Sequence, residues 1–265
     1  MHPLIIAAVT GYKLSQVETF IYSALQNTSY NLALITQKSD QDIINALSGL
    51  ARISIFTTKD LPDPRHMAGY RFQISSNILQ QIQPDFVVLS DSRDVFFQSD
   101  PFYLLKSAPT RITLATEPVK IKDCQTNSKW IRSFFGARTL SEINEQKVLC
   151  CGTIGGPTCS ILSLLETLNS TIKTKQELLR GYQWGLDQAS LNQLIYQENE
   201  GLIEYDISDN NSGPWLTIHH ERSIPINKQG QITNSQGNPA SIVHQYDRFP
   251  WLERHLRSQL LTLNS

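Results

Sequence analysis

The chain has 265 residues, with 23 Lys and Arg against 24 Asp and Glu and a formal net charge of −1. With 18% charged and 40% hydrophobic residues it has a globular composition, and it is long enough to bury a core without disulfides or metals to hold it. The balanced charge excludes the basic field that nucleic acid or an anionic membrane would require.

Leu4-Ile5-Ile6-Ala7-Ala8-Val9 is apolar but short, and no Lys or Arg precedes it. It therefore predicts a first strand, not a signal peptide or a membrane span. Thr10-Gly11-Tyr12 follows, and Ser15 with Glu18 three residues on has the form of a capping box. Val17, Phe20, Ile21, Ala24 and Leu25 then recur at helical spacing. A strand at 32–36, a helix at 42–50 and a strand at 53–57 come next. A loop punctuated by Pro62 and Pro64 leads to a helix over about 65–82, which Pro84 ends. Phe86-Val87-Val88-Leu89 is a continuous apolar run, as suits a strand buried on both faces.

This alternation implies a mostly parallel sheet with helices on both sides, where ligands bind beyond the carboxyl ends of the strands. Thr10–Tyr12 and Ser90–Asp94 both lie at that edge. The second half reads as smaller and less regular. Strands are predicted near 112–115, 148–154 and 202–207, helices near 160–178 and 187–198, and a Gly- and Asn-rich hairpin region at 227–239. A last strand begins at Ile242-Val243-His244. With neither repeat nor linker, a single domain over 1–265 is expected.

The four cysteines (Cys124, Cys150, Cys151, Cys159) lack the C-x-x-C spacing of a zinc site. Adjacent Cys150 and Cys151 would make a strained disulfide, so buried strand thiols and a reduced, cytoplasmic location are expected.

Asp91 and Asp94, delivered three residues apart by a buried strand, need a compensating charge. Magnesium or manganese, held by one or two carboxylates plus substrate phosphates, would supply it. The bland alternative is a turn that Asp94 caps while Arg93 pairs with a nearby acid. The segment Val87–Phe97, containing Asp91-Ser92-Arg93-Asp94, resembles the D-x-D segment of GT-A-fold glycosyltransferases, especially glycogenin-like ones. Further segments follow in the order of that family. Tyr70-Arg71-Phe72 looks like the helix whose arginine lies near the donor diphosphate. Cys151-Gly152-Thr153-Ile154-Gly155-Gly156 resembles the small-residue strand under the donor sugar. Asp187-Gln188-Ala189-Ser190-Leu191-Asn192 resembles the helix start whose aspartate faces the sugars, and Val243-His244-Gln245-Tyr246 the strand whose histidine completes the metal site.

The resemblance implies a GT-A-like α/β fold, with residues 1–100 as a nucleotide-binding half and 101–265 as an acceptor-side half. It implies transfer of a sugar from a nucleotide diphosphate sugar to an acceptor the sequence does not identify, with retention at the anomeric carbon, although no single nucleophile stands out. Asp187 and Arg71 are the expected catalytic residues. Thr10, Gly11, Tyr12, Arg71, Asp91, Ser92, Gly155, Gly156, Asp187 and Gln188 are the expected donor-binding ones. Asp94, Asp91 and His244 are the expected ligands of Mn2+ or Mg2+. Alignment on Asp94-Val95 puts the family's first aspartate on Ser92, which leaves two arrangements open. Either a bulge brings Asp91 to the metal, or Asp94 alone among the carboxylates is a direct ligand. Arg93 would partly replace the metal or pair with a remote acid. Other classes on similar sheets are a sugar-phosphate nucleotidyltransferase and a non-catalytic sugar- or partner-binding relative. His219 and His220, if on a strand, would diverge and share no metal.

Overall fold

The computed structural model describes residues 2–61, 63, 66–102, 110–181 and 183–261. The start of the helix expected from 65 and the two prolines before it lie outside these residues. The first four strands are β1 (Leu4–Ala8), β2 (Asn31–Gln37), β3 (Ile53–Thr58) and β4 (Phe86–Ser90). All pair in parallel, in the order β3-β2-β1-β4. The sheet continues through β7 (Lys147–Pro157), β6 (Ile112–Lys120) and β8 (Tyr205–Ser208). β7 runs against both β4 and β6, and β6 runs with β8. Six of the seven strands therefore point the same way, and the α/β, mostly parallel expectation holds.

Alternation along the strands splits the core in two. Leu4 and Ile6 of β1 face one cluster, shared with Phe72, Ile78 and Leu79 of α3 (Met67–Ile82) and Leu164, Leu165 and Leu168 of α5 (Thr158–Leu178). Ile5 and Ala7 face the other, shared with Val17, Phe20 and Ile21 of α1 (Leu14–Asn27) and Ile43 of α2 (Gln41–Leu47). Each such aliphatic or aromatic side chain contributes about 1.5–3 kcal/mol on full burial. Pro84 does stop α3, after Gln83 closes it in the left-handed region (φ 52°) with its N–H on Leu79 O at 2.9 Å.

The start of α1 differs from expectation. Lys13 precedes the helix and its N–H donates to Gln16 Oε1 at 2.9 Å, so Gln16 and not Glu18 closes the box. Glu18 instead pairs with Arg257 at 2.9 Å. A helix the sequence reading lacked, α4 (Gln125–Ile143), bends at Gly136 (φ 92°). Its buried face runs Asn127, Ile131, Phe134, then slips to Thr139, Leu140 and Ile143, which hides the period. α6 (Leu186–Gln193) is shorter than expected and passes into a π turn over Leu194–Glu198.

A second, three-stranded sheet, in the order β5-β10-β9, joins β5 (Val95–Phe97), β10 (Ile242–His244) and β9 (Trp215–Thr217). Leu252, Leu256 and Leu260, one face of α7 (Pro250–Leu261), pack on it with Phe96 and Val243. No helix among the described residues is long and apolar enough to cross a membrane.

Candidate functional site

The chain leaves the buried β4 at Ser90 and turns through Asp91–Asp94 into β5. Two backbone contacts fix the turn. Asp91 N–H donates to Gly152 O at 2.8 Å, and Gln245 N–H donates to Asp94 O at 2.7 Å. β10 pairs with β5 so that His244 faces Val95, which sets its imidazole beside Asp94 although 150 residues separate them in sequence. His244 Nε2 lies 3.4 Å from Asp91 Oδ2 and 3.5 Å from Asp94 Oδ1. The residue is 1% exposed, and its Nε2 has no hydrogen-bond partner.

Ligating atoms of Asp91, Asp94 and His244 all lie within 4.8 Å of one another. Two atoms bound to one ion at about 2.1 Å are separated by roughly 3.0–3.5 Å. The buried, unpartnered nitrogen and these spacings fit a divalent cation. Asp91 faces two partners at once. One of its oxygens pairs with Arg71 and the other faces His244. Ser92 turns inward, its hydroxyl donating to Ala8 O at 2.5 Å. Arg93 pairs with Asp247 at 3.0 Å and Asp94 at 3.4 Å.

Arg71, on α3, reaches across the sheet edge to three partners. It pairs with Asp91, lies 3.5 Å from Asp187 Oδ2, and donates to Cys151 O at 3.3 Å. Burial works against its charge, but Asp91 and Asp187 outweigh burial and raise its pKa. Burial likewise opposes ionisation of Asp91, and Arg71 and His244 reverse it, holding the carboxyl well below its usual range. Asp94 is also lowered, chiefly by His244 against burial. Asp187 sits in the first turn of α6, where the helix dipole favours an acid, but the cap is Gly185 in the left-handed region (φ 85°).

Tyr12 stands at the same edge. Burial, then Asp91, raises its phenol. The Gly11 N–H (φ 75°) donates to Asp40 Oδ1 at 3.4 Å, and the buried Thr10 hydroxyl has no partner. Gln188 is turned elsewhere. Its amide donates to Glu117 at 3.0 Å and Asn127 at 2.9 Å, and its oxygen accepts from Cys151 N–H at 3.4 Å.

Gly155 and Gly156 are not at this edge. They lie inside β7, paired with Val88 and Val87, and form no turn. A Cβ at Gly155 would come within 2.6 Å of the buried Trp215, and one at Gly156 within 3.0 Å of Ile112. Sheet packing therefore accounts for both. The glycine that matters here is Gly152, which the sequence reading passed over within the same run. A Cβ there would lie 2.7 Å from His244 Nε2 and 2.8 Å from Asp91 Oδ2. Gly152→Ala is expected to push the imidazole off the carboxylates and lower manganese affinity about ten- to a hundredfold. Titration calorimetry reads this, and unchanged affinity would refute it.

Cys150 was also missed as a site residue. Its Sγ lies 3.3 Å from His244 Nδ1, the atom whose partner decides whether Nε2 presents a lone pair. All four cysteines are free thiols, and Cys150 and Cys151 are buried, as expected. Burial opposes the imidazolium, but Cys150, Asp94 and Asp91 outweigh it, so His244 is raised well above its usual pKa. In the metal-free protein its stabilising charge is complete below about pH 6.5 and is lost as pH rises through the raised value. A metal needs the neutral ring, so its affinity moves the opposite way, rising about tenfold per pH unit until that value is passed. Calorimetry in buffers of different ionisation enthalpy should find about one proton released per ion. Affinity independent of pH from about 6 to 8 would contradict this.

The residues define an α/β protein in which Asp91, Asp94 and His244 could hold a cation, with an arginine beside them at one sheet edge. No protein-family model matches the chain, and no curated protein matches it.

Proposed function

We propose that the protein is a GT-A-like glycosyltransferase that moves a sugar from a nucleotide diphosphate sugar, with a divalent cation held by Asp91, Asp94 and His244. The observation that carries the reading is their convergence with Arg71 and Asp187 beyond the carboxyl end of β4. The order in which these residues follow one another in the sequence supports it too.

When bound, the cation would stabilise the charge of a leaving diphosphate. Arg71 has a planar fork suited to phosphate oxygens and is already set in place by Asp91 and Asp187. Asp187, held by Arg71 over the start of α6, is the acid positioned to accept hydrogen bonds from sugar hydroxyls. Tyr12, at the end of β1, offers a flat face to a base. The contribution of these groups is electrostatic and positional.

A panel of nucleotide sugars, with and without manganese, tests the proposal through released nucleotide diphosphate and thermal stabilisation. A donor at about a hundred times its Kd would add roughly 2.7 kcal/mol of stability. Binding with turnover is expected. No binding of any donor would defeat the proposal, and binding without turnover would favour a non-catalytic relative. Pyrophosphate released from a nucleotide triphosphate and a sugar phosphate would favour a nucleotidyltransferase.

A further inference from the structure

We propose that Glu117, Cys124 and His220 form a second cation site, one that takes a borderline-soft divalent ion such as zinc. Glu117 is near the end of β6, Cys124 stands at the head of α4, and His220 lies in the turn after β9. Ligating atoms of the three fall within 4.8 Å of one another. His219 and His220 do not diverge, because they occupy a turn and not a strand, and their ring centres are 3.6 Å apart.

The independent observation is the state of the Glu117 carboxylate. The residue is 2% exposed, yet its Oε2 has no hydrogen-bond partner. A buried, unsatisfied carboxylate oxygen is costly. That oxygen faces His220 Nε2 at 3.5 Å and His219 Nε2 at 3.8 Å. Two ligands bound to zinc at about 2.0–2.3 Å in a tetrahedron are separated by roughly 3.3–3.8 Å, the same range.

The surroundings orient the ligands as outer-shell partners do in metal sites. The Gln188 amide donates to the other Glu117 oxygen at 3.0 Å and to Asn127 Oδ1 at 2.9 Å. Asn127 Nδ2 in turn donates to Cys124 Sγ at 3.2 Å. One amide relay from α6 through α4 thus holds both buried ligands. His220, the exposed member, leaves a route for the ion to enter. Sulfur, imidazole and carboxylate together select zinc over the magnesium or manganese suited to an oxygen-rich site. Bound, the ion would tie the turn after β9 to β6 and α4, joining the two sheets. C-x-x-C spacing does not reveal such a site, because its ligands come from three separate segments.

The test uses the full chain carrying Asp94→Asn, which removes the first site and leaves this one, so the outcome does not depend on the proposed transferase activity. Cobalt is titrated as a zinc analogue, followed by displacement with zinc. Expected are one equivalent bound, a sulfur-to-cobalt charge-transfer band, and its loss on adding zinc. Cys124→Ser should abolish the band, and His220→Gln, at an exposed position that spares the fold, should weaken binding at least about tenfold. Absence of tight binding in the Asp94→Asn chain would overturn the proposal, leaving a Glu117–histidine ion pair. So would a band unchanged by Cys124→Ser or an affinity unchanged by His220→Gln.

Discussion

Asp94→Asn is expected to lower manganese affinity by about a hundredfold or more, and to remove metal-dependent donor binding with it. The amide keeps the size of the side chain and loses the charge that a hard cation requires. The fold should survive. Asp94 is flanked by a like charge on Asp91 as well as by His244, so neutralising it relieves a repulsion while weakening an attraction. Arg93 keeps its 3.0 Å pair with Asp247. Asp91→Asn makes a useful contrast, because Asp91 also holds Arg71. That variant should lose both metal affinity and stability, whereas Asp94→Asn should lose chiefly the first. Manganese titration and metal-free thermal melts separate the two. Unchanged metal affinity in Asp94→Asn would mean that the cation site is elsewhere.

Different parts of this site were legible in the sequence to different degrees, for physical reasons. β1 and the Phe86–Leu89 run of β4 are apolar because both faces are buried, and a continuous apolar run is a strong signal. Their carboxyl ends mark the ligand edge by topology alone. The pairing of β5 with β10 could not be read, since strands of three residues have no period to detect. That pairing brings His244 to Asp94, so its place as a ligand rested on resemblance. The glycines misled for a related reason. Gly155-Gly156-Pro157 suggests a turn, but within a sheet a glycine also answers crowding from the next layer, here Trp215 and Ile112. Whether a glycine serves one need or the other depends on neighbours that are distant in sequence. Glu117 and Cys124 gave no local signal either, because β6 and α4 supply one ligand each and His220 arrives from beyond β9.

Arg71→Ala is expected to cost about 3–5 kcal/mol, since it leaves the Asp91 and Asp187 carboxylates facing each other in a largely buried place. For a chain of this size that lowers Tm by on the order of 10 °C. The deficit should depend on pH in a defined direction. In the native protein Asp91 is held below its usual pKa, so its pairing stabilises the fold above about pH 4 and is lost on further acidification. Without Arg71 the largest part of that contribution is gone, His244 keeping the rest, and the difference between the two proteins should narrow as pH falls below about 4, the usual carboxylate pKa, towards the lowered value of Asp91. Arg71→Lys separates structure from recognition. A lysine keeps the positive charge between the acids, so most of the stability should remain. It lacks the planar fork that reaches Asp91, Asp187 and the Cys151 carbonyl together, and it meets phosphate only as a point charge. Nucleotide diphosphate affinity should therefore fall at least about tenfold in Arg71→Lys while Tm stays within a few degrees of the parent. Equal affinity in the two proteins would reduce Arg71 to a strut between two carboxylates and remove it from the proposed transfer.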